Sequence, residues 1–224
     1  DLLYIIAKFK NFDFRLDIRF MPFNCVPAAL LYFTGSNSFN IRVRNIAKKH
    51  VSESINIRKY LHAHPELSFK EYKTSKFIQS VLKNHNISFT IGHVETGIIA
   101  TIKGKNPNTK EILLRADMDA LPILEDNNVD YKSKNKGIMH ACGHDFHSAS
   151  LIGTALILNE LKEDFNGTIK FVFQPGEEKL PGGAKLMIED GLLNNNPQAC
   201  IAQHVYPDLK VGKVGFRSGL YMAS

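Results

Sequence analysis

Between residues 111 and 205, short apolar runs alternate with polar loops and with longer segments whose apolar residues recur at helical spacing. Three runs have the length and composition of strands, and the last is expected to be buried: Glu111–Arg115, Thr168–Phe173 and Ala199–Val205. Ser148–Glu163 and Pro181–Glu189 are predicted to be helices. This repetition of strand, loop and helix predicts an α/β fold with a largely parallel sheet, in which the C-terminal ends of the strands share one edge.

The stretch before this repeat predicts two helices followed by two strands. The helices cover Ser52–Leu61 and about Lys70–Asn84, and the strands cover Ile87–Thr90 and Gly97–Lys103. Pro65 discourages helical conformation at the residue before it and so separates the two helices. His62 and His64 are interpreted as a helix-end histidine and a packing residue rather than as ligands.

Residues 1–49 differ in character from the rest of the chain. The alternation in Arg15–Arg19 predicts a half-buried strand, and residues 39–44 lead into a helix. This part holds eight Lys and Arg against three Asp and Glu, so most of the net charge of +6 lies in it. The sharp change near Lys48–Ser52 predicts a boundary between residues 1–49 and 50–224. Because no linker composition marks it, a fused or misassembled reading frame is favoured over an evolved two-domain protein.

The composition is that of an ordinary globular protein, with 44% hydrophobic and 22% charged residues among 224. No apolar run approaches the roughly 20 residues that span a bilayer, so no membrane association is expected. Three scattered cysteines (Cys25, Cys142 and Cys200) are too few for a disulfide framework and favour a reducing, cytoplasmic setting. The chain begins with Asp and has no signal peptide, so a fragment is expected and nothing in it directs export.

Side chains that can bind metal follow the predicted strands. Cys142 and His144 are separated by one glycine, so a thiolate and an imidazole can turn toward one point, as zinc ligands do. The other candidates at or near strand ends are Asp117, Asp119, Glu177, Glu178 and His204. Each group alone has an ordinary explanation, such as a turn or a packed histidine. Four groups at one sheet edge nevertheless predict a metal centre, and their ligand types suit zinc, manganese or cobalt.

The N-terminal stretch containing "RLDIRF" and "ALLYFTGSNSFNIRVRNIA" resembles the palm-to-thumb segment of family X DNA polymerases. The resemblance implies a metal-binding carboxylate at Asp17, a nucleotide pocket, and contacts to nucleotide and template. The remaining residues implied are Tyr32, Phe33 and Gly35 in the pocket, and Asn40 and Arg44 facing nucleotide and template. Because the other two carboxylates of such a site would lie upstream of residue 1, no polymerase activity is expected.

Residues 52–224 resemble metallopeptidase family M20, in its amidohydrolase branch of hippurate hydrolases, N-acyl-amino-acid deacylases and auxin-conjugate hydrolases. The resemblance rests on the order and spacing of "LLRADMDALPI", "MHACGHDFHSASLIG", "FVFQPGEE", "GGAKLMIEDG" and "AQHVYP", preceded by "IRKYLHAHPELSFKEYKTS". It implies a three-layer α/β/α, zinc-peptidase-like catalytic domain, preceded here by a short β-rich fragment.

The family resemblance also implies roles for individual residues. Two divalent ions, Mn²⁺, Zn²⁺ or Co²⁺, would be held by Cys142, His144, Glu178 and His204, with Cys142 bridging them. Glu177 matches the general base that activates a water, and Asp119 matches an aspartate that supports the metal site from behind. Asp117 stands where related branches carry a histidine ligand and is kept as a further candidate.

The function implied is metal-dependent hydrolysis of the amide bond of N-acyl-amino acids or related small peptide-like substrates. Family members continue through a dimerisation (lid) domain and a last histidine ligand, so the chain is expected to be truncated and poorly active alone. The full-length family member is expected to be a homodimer. Two alternatives remain open, a DNA-binding or nucleotidyltransferase remnant of a family X polymerase and a non-catalytic metal-binding fragment. DNA is a partner only if the N-terminal part is functional.

Overall fold

The computed structural model describes residues 3–7, 37–210 and 213–215. The helices of this part are α1 (Asn37–Ala63), α2 (Tyr72–Asn84), α3 (His144–Glu160) and α4 (Gly183–Glu189), with a 3-10 turn at Lys162–Asp164. The strands are β1 (Leu3–Ala7), β2 (Ser88–His93), β3 (Gly97–Lys103), β4 (Glu111–Asp117), β5 (Thr168–Gln174), β6 (Ala199–Val205) and β7 (Val214–Gly215). No helix within the described ranges is long and apolar enough to cross a membrane.

The strands form one sheet in the order β2-β3-β5-β4-β6-β1-β7. At its centre β5, β4 and β6 run parallel, and Leu114 lies in register with Phe171 and Ile201. The parallel arrangement predicted for residues 111–205 is therefore confirmed. The whole sheet is mixed, because β2 and β3 are joined by a tight turn and must run antiparallel. β3 is also antiparallel to β5, and β1 is antiparallel to β6.

Helices cover both faces of the sheet. The main core lies between one face and the helices α1, α2 and α3, and includes Leu61, Leu82, Leu114, Ile152 and Phe171. On the other face, Leu113 and Val172 pack with Met187 of α4. Because successive residues of a strand point to opposite faces, Leu113 and Leu114 belong to different cores. The predicted three-layer α/β/α arrangement is confirmed.

One continuous helix crosses the predicted boundary at residues 49 and 50. In the N-terminal half of α1, Val43, Ile46 and Ala47 are buried against Ile157 and Leu161. The predicted helix Ser52–Leu61 is thus the second half of a longer element. The apolar face of this helix already begins at Val43, so the helix starts before residue 49 although the composition of the chain changes there.

Only two of the residues named for the polymerase resemblance lie in the part of the chain that the structure describes. Asn40 and Arg44 lie on α1. Asp17, Tyr32, Phe33 and Gly35 lie outside the described residues, as does the strand predicted at Arg15–Arg19.

Two elements differ from their predictions in ways that affect the site. Helix α3 begins at His144, four residues earlier than predicted, because Gly143 adopts a left-handed conformation with φ 84° and turns the chain into the helix. Strand β6 is largely half-exposed rather than buried. Within that described strand Gln203 alone is buried and Cys200 is exposed, because only Ile201 of β6 packs against the main core.

Candidate metal centre

The candidate ligands meet at the C-terminal edge of the parallel strands. Asp117 is the last residue of β4, and Asp119 follows it by two positions. Glu177 and Glu178 lie in the loop after β5, and His204 lies near the end of β6. Cys142 immediately precedes the turn into α3, which begins with His144. Parallel strands deliver their C-terminal loops to one edge, and this explains the convergence predicted from the sequence.

Three overlapping groups of side chains could each hold a cation. In each group the ligand atoms lie within 4.8 Å of one another, and His144 belongs to all three. The groups are Cys142–His144–His204, Asp117–His144–His147 and His144–Glu177–Glu178. The structure thus brings together every predicted site residue except Asp119, which contacts His144 from the opposite side.

His144 is oriented with one nitrogen toward this cluster. Its Nδ1 donates to the backbone carbonyl of Asp119 at 2.9 Å, and Asp119 Oδ1 lies 3.2 Å away. Its Nε2 is buried and has no hydrogen-bond partner among the described residues. The carboxylates nearest to this atom are those of Asp117 at 3.7 Å, Glu178 at 3.7 Å and Glu177 at 3.9 Å. A buried nitrogen lone pair facing carboxylates fits a divalent cation between them.

The electrostatics of His144 favour positive charge at this position. Burial alone would lower its pKa, but the hydrogen bond to Asp119, the nearby Cys142 sulfur and the charge of Asp117 raise the pKa of His144 to about 11. The surroundings therefore stabilise an added cation strongly. A metal ion would compete with the proton for the same nitrogen.

Cys142 and His204 form the second pair of donors. The Cys142 Sγ lies 3.4 Å from His204 Nε2, while His204 Nδ1 donates to the backbone carbonyl of Val205 at 2.6 Å. That bond directs the other nitrogen toward the sulfur. The nearby imidazole of His144 and the hydrogen bond from His204 lower the pKa of Cys142 and favour the thiolate, the form in which cysteine binds metals. The hydrogen bond to Cys142 in turn raises the pKa of His204.

Asp119 holds two parts of the site together. Its Oδ2 accepts hydrogen bonds from Ser68 Oγ at 2.6 Å and from the backbone N–H of Glu178 at 2.9 Å. Burial would raise its pKa, but hydrogen bonds from His144 and Ser68 lower the pKa of Asp119, so it is ionised. This geometry agrees with the supporting role predicted for Asp119, which stays a prediction.

Asp117 and His147 make a buried pair that the sequence reasoning did not assign. His147 Nδ1 donates to Asp117 Oδ1 at 2.7 Å, and Arg115 Nη1 lies 2.8 Å from Asp117 Oδ2. Arg115 and the two histidines His147 and His144 hold the pKa of Asp117 far below its usual range despite complete burial. His147 follows His144 by three residues, which is a little less than one helical turn. Its place in the first turn of α3 is the signal that could have found it.

The two glutamates of the β5 loop differ in exposure. The side chain of Glu177 is 41% exposed and that of Glu178 is 23% exposed. Burial and the charge of Asp117 raise the pKa of Glu177. Glu177 is thus the more accessible of the two to solvent and to a substrate.

His62 lies in the last turn of α1, as predicted for a helix-end histidine, and it also belongs to a buried charge network beside the site. His62 is 5% exposed, with Nδ1 2.9 Å from Asp145 Oδ2 and Nε2 3.0 Å from Glu125 Oε1. Burial alone would lower its pKa, but these two hydrogen bonds to carboxylates raise the pKa of His62 and so favour its charged form. Arg58 also contacts Asp145, with Nε 2.9 Å from Oδ2. A histidine near a helix end gave no sign of this, because Asp145 is 83 residues away.

Comparisons with known proteins agree with this geometry. Residues 113–219 match the family described as Peptidase family M20/M25/M40. The chain is 47% identical over 171 residues to an N-acetylcysteine deacetylase of Bacillus subtilis strain 168, covering 76% of this chain and 44% of that protein. It is 43% identical over 173 residues to an N-acyl-L-amino acid amidohydrolase of Geobacillus stearothermophilus, covering 75% of this chain and 45% of that protein.

A solved structure matches as well. The Bacillus subtilis YXEP protein, a dinuclear metal binding peptidase from the M20 family, superposes with a TM-score of 0.62 at 48% identity, covering 64% of this chain and 40% of that one. The chain therefore spans less than half the length of these relatives. The matches lend no support to the resemblance of residues 1–49 to family X DNA polymerases, and that expectation is not carried further. On these matches, residues 113–219 are similar to peptidase family M20/M25/M40.

Proposed function

We propose that the protein is a metal-dependent amidohydrolase that cleaves the amide bond of N-acyl-amino acids or related small substrates with an activated water. One observation carries the proposal. His144 Nε2 is buried, lacks a hydrogen-bond partner among the described residues, and faces carboxylates of the β4 and β5 loops at distances of 3.7 to 3.9 Å. A metal ion among these carboxylates would give this buried nitrogen the partner it lacks.

Two divalent ions, Zn²⁺, Mn²⁺ or Co²⁺, suit the donors around His144. Cys142, His144, Glu178 and His204 would hold them. Asp119 would keep the imidazole and the Glu178 backbone in place through the hydrogen bonds it accepts. When bound, such ions polarise an amide carbonyl and lower the pKa of water.

Glu177 is proposed as the residue that moves the proton. Its carboxylate is more exposed than that of Glu178, and its Oε2 lies 3.9 Å from His144 Nε2, beside the ligand cluster. From this position it can take a proton from the attacking water and return it to the departing amine nitrogen. The raised pKa of Glu177, caused by burial and by Asp117, suits a group that must both accept and release a proton.

The substrate class is supported by the named activities of the relatives, which are an N-acetylcysteine deacetylase and an N-acyl-L-amino acid amidohydrolase. The homodimer implied by the family resemblance and the cytoplasmic setting that would keep Cys142 reduced remain predictions. Sedimentation of the metal-loaded protein tests the first, and fractionation of cells tests the second.

The test is hydrolysis of a panel of N-acetyl-amino acids, N-acetylcysteine included, after dialysis against Mn²⁺, Zn²⁺ or Co²⁺. Metal content is measured on the same samples. Because the chain spans 44% of the Bacillus subtilis deacetylase, a second protein joins residues 37–210, which include all of α1, to the remaining part of that relative. We expect metal-dependent release of the free amino acid by the joined protein, suppressed by a chelator.

The outcomes separate the parts of the proposal. Metal bound without hydrolysis of any panel member by the joined protein would overturn the amidohydrolase function. Protein that binds no metal after dialysis would overturn the metal centre itself. Hydrolysis that survives complete removal of metal would overturn the role of the ions.

A further inference from the structure

One short segment of the chain contacts both loops that carry the site. Residues 66–71, between α1 and α2, contribute Ser68 to Asp119 after β4 and Glu71 to Gly176 after β5. The backbone of the segment also accepts a hydrogen bond, from Ala120 N–H to the carbonyl of Glu66 at 2.8 Å. The segment therefore contacts the loops after β4 and β5, which carry part of the site.

Glu71 is the buried acid of this segment. Its side chain is completely buried and accepts three hydrogen bonds. Its Oε1 accepts the backbone N–H of Gly176 at 2.8 Å and that of Phe69 at 2.9 Å, and its Oε2 accepts the hydroxyl of Thr96 at 2.7 Å. No metal ligand contacts this carboxylate among the described residues, and the hydrolysis mechanism proposed above does not use it. Burying a carboxylate costs free energy unless hydrogen bonds compensate for the lost water, and here the three hydrogen bonds do so.

Gly176, whose N–H bonds to Glu71, is held by further contacts. The carbonyl of Gly176 accepts the N–H of Gly183 at the start of α4 at 2.8 Å. Gly176 has φ 54°, and a Cβ added there would come within 2.4 Å of the Phe69 ring. At Gly176 the β5 loop is therefore in close contact with Phe69 of the 66–71 segment. Two residues later, the Glu178 N–H is bonded to Asp119, so Glu177 lies between two anchored positions.

We propose that Glu71 is a positioning residue, whose buried carboxylate holds the Gly176–Glu178 loop so that Glu177 and Glu178 face the metal centre. The inference deepens the proposed function, since it assigns what holds the loop of the proposed base and ligand. Removing the two carboxylate oxygens of Glu71 leaves the Gly176 N–H without its partner in a buried place. The loop then rearranges to satisfy that group, and the two glutamates move with it.

The test measures the bond itself before any activity. Amide hydrogen exchange, followed by NMR on ¹⁵N-labelled full chain without metal, reports the protection of Gly176. In Glu71→Met, which keeps the volume but offers no comparable acceptor, we expect exchange at Gly176 to become about tenfold faster or more. Amides of β3 and α3 should keep their protection.

A conservative variant and a matched control accompany it. In Glu71→Gln, the amide oxygen can accept both backbone N–H groups while the amide nitrogen donates to Thr96, whose hydroxyl can accept instead. This variant should restore protection of Gly176. Glu66→Met removes a carboxylate that accepts two hydrogen bonds, from Thr74 N–H at 2.8 Å and Thr74 Oγ1 at 3.0 Å, but does not contact the β5 loop. It should leave Gly176 unchanged.

The second measurement is metal affinity, which reports whether the loop still places Glu178 at the site. Affinity for Zn²⁺, measured by competition with a chelating dye, should fall about 10- to 100-fold in Glu71→Met and recover in Glu71→Gln, because Glu178 is a proposed ligand. Unchanged exchange at Gly176 in Glu71→Met would overturn the proposal, as would equal acceleration throughout β3 and α3. A local effect of the same size in Glu66→Met would overturn it too. Because the exchange readout needs neither metal nor turnover, failure of the proposed hydrolase function leaves this result interpretable.

Discussion

Asp117 and His147 form a fully buried hydrogen-bonded pair that joins strand β4 to strand β6. His147 Nδ1 donates to Asp117 Oδ1 at 2.7 Å, and its Nε2 accepts the backbone N–H of Val205 at 3.0 Å. These two bonds define the tautomer of the imidazole, since one nitrogen must carry the proton and the other must accept one. Val205 follows His204 directly, so the pair sets the position of a proposed metal ligand.

We therefore expect His147→Ala to weaken metal binding by about 10- to 100-fold, because groups that orient a ligand commonly contribute that much. Affinity is measured by competition with a chelating dye, and folding is checked by thermal unfolding of the metal-free protein. The control is His93→Ala, since His93 lies on the surface and contacts Thr90 and Asp190 rather than the site. Equal metal affinity in His147→Ala and the unmodified protein would contradict the assignment.

Gly143 is required between the two proposed ligands Cys142 and His144. Its φ of 84° is left-handed, and a Cβ added there would lie 2.4 Å from Val205 Cγ2. Gly143→Ala should lower both stability and metal affinity, because the turn must move away from β6. Gly137→Ala is the matched control, since Gly137 has φ 82° and nothing within 4 Å of its added Cβ.

Both glycine substitutions carry the roughly 1 to 2 kcal/mol cost of left-handed backbone. Only Gly143→Ala adds the clash, so the difference between the two in urea unfolding isolates it. Identical losses in stability and metal affinity in both variants would show that the contact with Val205 is unimportant.

Replacing the proposed base should separate metal binding from turnover. Glu177→Gln keeps the shape of the side chain but cannot accept the proton, so hydrolysis should fall about 100-fold or more while bound metal stays the same. Glu178→Gln removes a proposed ligand and should reduce metal content as well. The measurement is metal analysis and amino acid release on the same samples, in the joined protein described above. Full activity in Glu177→Gln would reject the role of Glu177.

The charge network around His62 predicts a pH dependence of stability. The pKa of His62 is raised in the fold, so its contribution is complete below its unfolded pKa of about 6.5 and is lost as the pH rises through the folded value. Hydrogen bonds from His62 oppose burial and lower the pKa values of Asp145, to about 2, and of Glu125. Both carboxylates therefore stay charged down to about pH 5.

The excess stability of the unmodified protein over His62→Gln should be largest between about pH 5 and 6.5 and should shrink toward pH 9. Above the folded pKa, a neutral imidazole can donate to only one of the two carboxylates. Thermal unfolding with a chelator present gives the difference at each pH. Arg58 contacts Asp145 in both proteins, and burial lowers the pKa of His140 to about 4, below this pH range. A difference that does not change with pH would contradict the charged state of His62.

The path of α1 predicts that residues 37–49 stabilise the α/β domain. Val43 is 1% exposed and packs against α3, whereas Ile41 on the same helix is 51% exposed. Val43→Asp places an unpaired charge in this contact and should destabilise the domain by about 3 kcal/mol or more. Ile41→Asp should have little effect on urea unfolding. If Val43→Asp leaves unfolding unchanged, residues 1–49 are a separate part, as the sequence pattern predicts.

Much of the architecture was predictable from local patterns. The strands β4, β5 and β6 were found to within about two residues, because short apolar runs bounded by turn residues are local signals. The start of α3 was missed because the predicted helix was taken from its apolar residues, whereas Gly143 and the polar His144 begin it. The helix across residue 49 was missed because the change in composition was weighed above the apolar positions Val43 and Ile46.

By itself, the sequence determined which donor types this protein has and that they follow strand ends, since Cys142, His144, Glu177, Glu178 and His204 each belong to a short pattern that is complete within a few residues. Only the tertiary structure decided how those donors are held. Asp117 reaches His147 across 30 residues, His62 reaches Asp145 across 83, and Glu71 reaches Gly176 across 105. The packing of whole helices and strands determines which of these distant residues become partners. The periodicity of one or two turns of sequence contains no information about that packing.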